Sequence, residues 1–224
     1  MSVESMSCAT EGGYIGSYPQ DVANIRWRLA LCVGRIRCGV TVGPKGSVSV
    51  LLGISGSLRA DATNRKLIRE AARHYGGSFV EGDIRLPLDD GDDEKAQGVP
   101  GGVALLAAQI ASAEAIVIST PEYNQSLSGS LKNALDWISR VEGSPWRGKP
   151  VALMSAAAGR SGGARANYAL RLAMTPFRAR LLSMEVLVAG ARKEFGEDGR
   201  LLSERIDGQV GELMAALRAE VSRG

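Results

Sequence analysis

The chain has 224 residues, 45% hydrophobic and 23% charged, which suits one globular domain with a sizeable core and is short for two. Lys plus Arg is 27 and Asp plus Glu is 24, a net charge of +3. That balance lacks the basic surface of a nucleic-acid binder and the acidic bias of a disordered chain. No apolar run reaches the roughly 18 residues of a membrane helix, residues 29–33 being short and flanked by Arg28 and Arg35. Neither nucleic acid nor membrane is expected as a partner.

Residues 1–46 show no sustained period of 2 or 3.6, and Gly12, Gly13, Gly16, Pro19, Gly43, Pro44 and Gly46 punctuate them like loop. Residues 25–42 carry Arg26, Arg28, Arg35 and Arg37 without an acid. A targeting presequence fits this poorly, because Glu4, Glu11 and Asp21 precede it. A partner-binding arm is a second reading. The preferred one is an N-terminal extension, outside the fold, ahead of a domain spanning residues 47–224. Cys8, Cys32 and Cys38 all fall in the extension without a Cys-x-x-Cys pair. They favour neither a disulfide framework nor a zinc site, and they suit a reducing compartment, the cytoplasm.

Regular patterning begins at Ser47. Residues 48–54 read as a buried strand, followed by a helix from about Thr63 with Leu67, Ile68, Ala71, Ala72 and Tyr75 at helical spacing. The only histidine, His74, falls at that helix's end, where a surface or packing role is the ordinary reading. Residues 78–84 form a weaker, polar strand. An acidic loop with Asp89, Asp90, Asp92, Asp93 and Glu94 precedes a helix carrying Val103, Leu106, Ala107 and Ile110. Residues 115–119 are a clear apolar strand, and Leu131, Ala134, Leu135, Ile138 and Val141 mark the next helix. A strand at 150–155 leads to a helix running to about Leu182 with a break at Pro176. Residues 184–188 are the last strand, and Ile206, Val210, Leu213, Met214, Leu217 and Val221 mark the closing helix. Five strands alternating with five helices predict an α/β fold, a parallel sheet covered on both faces in three layers.

Ligands of such sheets bind beyond the carboxyl ends of the strands, where three loops stand out. Residues 55–64 combine Gly56 with the hydroxyls of Ser55, Ser57 and Thr63, the Arg59 guanidinium and the Asn64 amide, just before a helix. Phosphate recognition needs such donors at a helix N-terminus, yet neither a Walker A loop nor Gly-x-Gly-x-x-Gly is present. An ordinary turn with Thr63 as N-cap is the plain alternative. In the second loop, Pro121, Glu122, Tyr123 and Asn124 offer a fixed turn and an aromatic for a planar heterocycle, or simply a turn into a helix. The third, residues 155–163, is made of small residues over which a flat ligand could lie, or is a flexible loop.

Taken in order, Gly56-Ser57-Leu58-Arg59 with Thr63-Asn64, Pro121-Glu122-Tyr123-Asn124, Gly129-x-Leu131-Lys132-Asn133-Ala134-x-Asp136-Trp137 and Gly162-Gly163-Ala164-Arg165 resemble the NADPH-dependent FMN reductase family, in particular its bacterial chromate/quinone reductases. The resemblance covers residue 47 to the end. It implies a flavodoxin-like fold with strand order 2-1-3-4-5 and non-covalently bound FMN, with NADPH or NADH as hydride donor. By motif, Ser57, Arg59, Thr63 and Asn64 would hold the FMN phosphate. Pro121, Glu122, Tyr123 and Asn124 would line the ring, and Ser155 and Gly159 would approach it from the third loop. Asp136 and Trp137 would serve packing, and Arg165 and Tyr168 subunit contacts in a homodimer or homotetramer.

The expected activity is NAD(P)H-dependent reduction of quinones, chromate or similar acceptors through the flavin, which explains why no catalytic His, Cys or paired carboxylate is needed. A flavodoxin-type carrier without NAD(P)H activity is the first rival. The second is a phosphate-binding domain using the first loop alone, which predicts a colourless protein.

Overall fold

In the first strand, β1 (Val50–Ser55), side chains on both faces are buried: Leu51 on one, Leu52 and Ile54 on the other. A strand apolar on both faces belongs in the middle of a parallel sheet, and β1 lies there. The structure is a computed structural model and describes residues 50–223. The extension at 1–46, its three cysteines and the start of the strand expected at 48 lie outside the described residues.

The chain continues through α1 (Thr63–Tyr75), β2 (Ser78–Gly82), α2 (Gly91–Gln97), α3 (Gly101–Ser112), β3 (Ala115–Thr120), α4 (Gly129–Ser139), β4 (Pro150–Ala156), α5 (Ala164–Met174), β5 (Arg180–Val188) and α6 (Glu204–Ser222). All strand pairs are parallel, in the order β2-β1-β3-β4-β5. This is the flavodoxin-like order anticipated from the motifs. β3 and β4 are buried along their whole length, whereas the edge strands β2 and β5 are only partly so.

Alternation of side chains along the strands builds two cores. Leu52, Ile54, Ile116, Ile118 and Leu153 pack with Val103, Leu106 and Ile110 of α3, Leu131 and Leu135 of α4, and Leu170 of α5. Leu51, Ala115, Val117, Ala152 and Met154 face the other way, against Leu67, Ile68 and Ala71 of α1 and Val210, Leu213 and Met214 of α6. Three layers result.

Several sequence expectations need correction. The acidic stretch is not all loop: α2 starts at Gly91, with the Asp90 carboxylate accepting from the Asp92 N–H at 2.8 Å. None of its residues is buried, so it carries no apolar period to read, and the acids of its first turn, Asp92, Asp93 and Glu94, suit the positive end of the helix dipole. It raises the number of α-helices among the described residues from the expected five to six. The helix expected to reach Leu182 stops at Met174. Pro176 sits in a 3-10 turn (Thr175–Phe177), Arg178 turns the chain with φ +56°, and β5 then begins at Arg180, four residues before its expected start. β2 is shorter than expected, ending at Gly82.

Candidate active site

The three central strands end level. Ser55 of β1 pairs with Ser119 of β3, and Thr120 of β3 pairs with Ser155 of β4. The chain leaves β1 for β2 on one side, while β3 lies on the other, so the crevice above this hydroxyl row is the topological switch point. All three candidate loops rise from it.

The first loop is held from below and behind. The Gly56 N–H donates to the Ser119 carbonyl at 2.8 Å, and the Gly56 carbonyl accepts from Ser128 Oγ at 2.5 Å and Ser130 Oγ at 3.2 Å. Arg85 donates to the Leu58 carbonyl at 2.9 Å and Arg65 to the Arg59 carbonyl at 3.4 Å. The carbonyls of Gly56, Leu58 and Arg59 are thus occupied, while the side-chain donors of Ser57, Arg59 and Thr63 are not. The Arg59 guanidinium is exposed, and neither it nor the Ser57 and Thr63 hydroxyls donates a hydrogen bond to another described residue. Ala62, rather than Thr63, is the N-cap of α1, and it brings no side-chain acceptor to the helix's first N–H groups. A donor-rich, uncapped helix start fits a phosphate. The loop's own anion, Asp61, is offset by Lys66 at 2.7 Å, whose hydrogen bond and charge hold the Asp61 carboxyl below its ordinary range.

The Asn64 side chain is engaged inside the fold. It is 2% exposed, donates to the Ala156 carbonyl at 2.9 Å and accepts from the Ala156 N–H at 2.9 Å and Ser119 Oγ at 2.7 Å. It ties α1 to the ends of β3 and β4 and is buried at the start of that helix. Its spacing from Leu67, Ile68 and Ala71 places it on the apolar stripe of α1, a signal present in the sequence.

In the second loop, Thr120 Oγ1 donates to the Pro121 carbonyl at 3.0 Å. Tyr123 and Ser126 exchange backbone hydrogen bonds of 3.0 Å each way across Asn124 (φ +49°) and Gln125 (φ +65°). Two consecutive left-handed residues make a tight primed turn, and Tyr123 stands on it half-exposed. Glu122 turns toward α5, where its carboxylate takes the Arg165 backbone N–H and guanidinium, each at 3.2 Å.

At the start of the third loop the Ser155 side chain turns inward. It is fully buried, donates Oγ to the Thr120 carbonyl at 2.6 Å, and is covered by Gly163. A Cβ on Gly163 (φ +89°) would lie 1.9 Å from Ser155 Oγ, so only glycine fits. Ser155 braces the loop from inside, and the open position is Gly159, whose added Cβ would meet nothing within 4 Å.

Elsewhere, Trp137 is buried with its Nε1–H on the Pro87 carbonyl at 2.8 Å, while Asp136 pairs on the surface with Lys132. His74 Nε2 lies 2.8 Å from Asp207 Oδ1 of α6, a packing role away from the loops. A cavity of about 680 Å³ lined by Trp146 and Phe177 also lies apart, with none of the three loops in its wall.

Comparison with known proteins agrees with this geometry. The sequence profile of the family described as NADPH-dependent FMN reductase matches residues 50–193. The chain is 40% identical over 177 residues to the NAD(P)H-dependent FMN reductase of Pseudomonas aeruginosa, covering 77% of this chain and 95% of that one. It is 38% identical over 160 residues to a quinone reductase of Pseudomonas putida, covering 69% and 84%. The solved structure of FerB, a flavoenzyme NAD(P)H:(acceptor) oxidoreductase from Paracoccus denitrificans, superposes with a TM-score of 0.71 at 29% identity, covering 79% of this chain and 98% of that one. This chain belongs to the NADPH-dependent FMN reductase family.

Proposed function

We propose that the protein uses non-covalently bound FMN to carry electrons from NAD(P)H to small acceptors of the quinone class, with chromate as a further acceptor. The observation that carries this reading is the first loop, where Arg59, Ser57, Thr63 and the uncapped α1 N-terminus offer donors without acceptors, beside a turn that presents Tyr123. FMN, when bound, supplies the hydride and electron chemistry.

The chain's own residues bind and orient. Arg59, Ser57 and Thr63 hold the phosphate, with Asn64 acting beneath them as a strut. Pro121 and the Tyr123–Asn124 turn flank the ring, and Gly159 leaves the opposite wall low enough for a flat donor or acceptor to lie close to it. Residues 1–46 take no part. The quinone reductase among its relatives supports the acceptor class.

The assembly in this reading is a homodimer or homotetramer. Tyr168 and Leu172, one turn apart on α5, are 64% and 76% exposed, and such large apolar side chains suit a subunit contact. The setting is the cytoplasm; among the described residues no helix is long and apolar enough to cross a membrane.

The test is a visible spectrum of the purified protein followed by steady-state NAD(P)H oxidation with and without a quinone. A yellow protein whose NAD(P)H oxidation depends on the quinone supports the reading. A colourless protein that gains no activity with added FMN overturns it, and a yellow one inert toward NAD(P)H is a carrier.

A further inference from the structure

Among the described residues, one ion pair ties the second loop to the helix that follows the third: Glu122 of the loop and Arg165 in the first turn of α5. Glu122 Oε1 accepts from Arg165 Nη1 and Oε2 from the Arg165 backbone N–H, both at 3.2 Å. The N-cap of α5 is Gly163, which has no side chain to satisfy the helix's first N–H groups. A carboxylate borrowed from the neighbouring loop does so instead, at the end of a helix where negative charge is favoured.

The same carboxylate sits one residue before Tyr123 and the turn with two left-handed residues, Asn124 and Gln125. Non-glycine residues persist in that conformation only where the surroundings hold them. Two fastenings do so here. Ser155 Oγ grips the Thr120 carbonyl, fixed in place by Gly163. Two residues on, Arg165 grips Glu122. The first fastening is fully buried, whereas the second is open to water on its arginine side, Arg165 being 60% and Glu122 14% exposed.

We propose that Glu122 and Arg165 are positioning residues for the flavin ring: the pair sets the width between the second and third loops and keeps the Glu122 charge neutralised beside the ring. This rests on the FMN reading above. Reduction adds electron density to the ring, so an uncompensated carboxylate nearby opposes reduction and a removed one favours it. The two halves of the pair therefore act on the flavin potential with opposite signs, which a purely structural contact does not do.

The experiment uses the flavin-loaded full chain with Arg165→Ala, Arg165→Lys, Glu122→Gln and the double variant Glu122→Gln/Arg165→Ala. Midpoint potentials are read by equilibration with redox dyes, and affinities by titration with FMN and riboflavin. Arg165→Ala should make the potential more negative and weaken FMN and riboflavin alike, by about two- to fivefold. Glu122→Gln, which keeps an oxygen acceptor for the Arg165 N–H, should make the potential more positive. Arg165→Lys should return it toward wild type, and the double variant, with both charges removed, should fall between the two single variants. Potentials that move in the same direction in both single variants, or in neither, overturn the proposal. If Arg165→Ala fails to fold, Glu122→Gln and Arg165→Lys still decide it. A wild-type protein that binds no flavin would overturn the FMN reading instead, and is recognised before any variant is made.

Discussion

Ser128 Oγ donates to the carbonyl of Gly56, 72 residues earlier in the chain, at 2.5 Å. The same oxygen accepts from the Leu131 N–H at 3.3 Å, so one buried hydroxyl caps α4 and holds the first loop against the second. Ser128→Ala should cost about 1–2 kcal/mol, combining a lost cap with a weakened grip on Gly56. Urea denaturation measures that loss, and a flavin titration should show a few-fold weaker FMN binding. Unchanged stability would mean that Ser130, at 3.2 Å from the same carbonyl, does the work alone.

Arg59 and Asn64 separate two kinds of residue that the motif groups together. Arg59 is exposed and its guanidinium donates no hydrogen bond among the described residues, and hydrogen bonds to charged groups contribute about 1.5–3 kcal/mol. Arg59→Ala should therefore weaken FMN by roughly ten- to a hundredfold while leaving riboflavin affinity and stability nearly unchanged. Titrations with both flavins test this; equal FMN affinity in variant and wild type removes the loop from the phosphate site.

Asn64→Ala should show the reverse selectivity. It strips partners from Ser119 Oγ and from both polar groups of the Ala156 backbone, all at buried positions. A loss of about 2–4 kcal/mol is expected, with FMN and riboflavin weakened together. A stable variant with a defect confined to FMN would return Asn64 to the phosphate site.

Most of the sheet and both cores were legible because their signals are local. Leu67, Ile68 and Ala71 repeat at helical spacing, and the apolar runs of β1, β3 and β4 admit no other reading at their length. α2 was not legible, since an exposed helix has no apolar face, and β5 was short by four residues because an edge strand alternates weakly. In the site, the motifs placed Arg59 and Tyr123 on loops at the strand ends but could not say which polar side chains the interior would claim. Ser155 and Asn64 are polar residues whose partners come from other strands, and pairing across that distance has no periodic signature. That the Glu122 carboxylate also caps α5 was hidden for the same reason.

The clamp between α1 and α6 gives a pH prediction. Burial alone raises the Asp207 carboxyl, but the hydrogen bond from His74 and the charges of His74, Arg73 and Arg200 outweigh it and bring Asp207 below its ordinary value of 3.8. A lowered folded value means that the stabilisation is complete above the unfolded value and is lost as pH falls through the folded one. Asp207→Asn should melt about 2–4 °C lower than wild type at pH 6, and the two should converge below about pH 4. Melting curves across that range provide the check; a gap that persists undiminished at pH 3 would contradict the ionic origin.

Removal of residues 1–46 should leave the fold, the flavin affinity and the turnover intact, since every motif and the whole family match lie downstream. Cys8, Cys32 and Cys38 replaced together by serine should likewise retain NAD(P)H-dependent activity. Spectra and steady-state rates of both variants decide this, and aggregation of the shortened chain would show that the segment packs on the domain.

The level strand ends, locked by Asn64, Ser128 and Ser155, divide the crevice into a mount and a face. The mount is internal: its hydrogen bonds run between strand ends, helix starts and loop carbonyls, and none depends on the outward side chains of Tyr123, Gln125 or Arg160. Mutational drift at those outward positions therefore carries little risk of collapsing the loops. An enzyme built this way can change the molecules it accepts by single surface substitutions while the frame beneath its loops stays where it is.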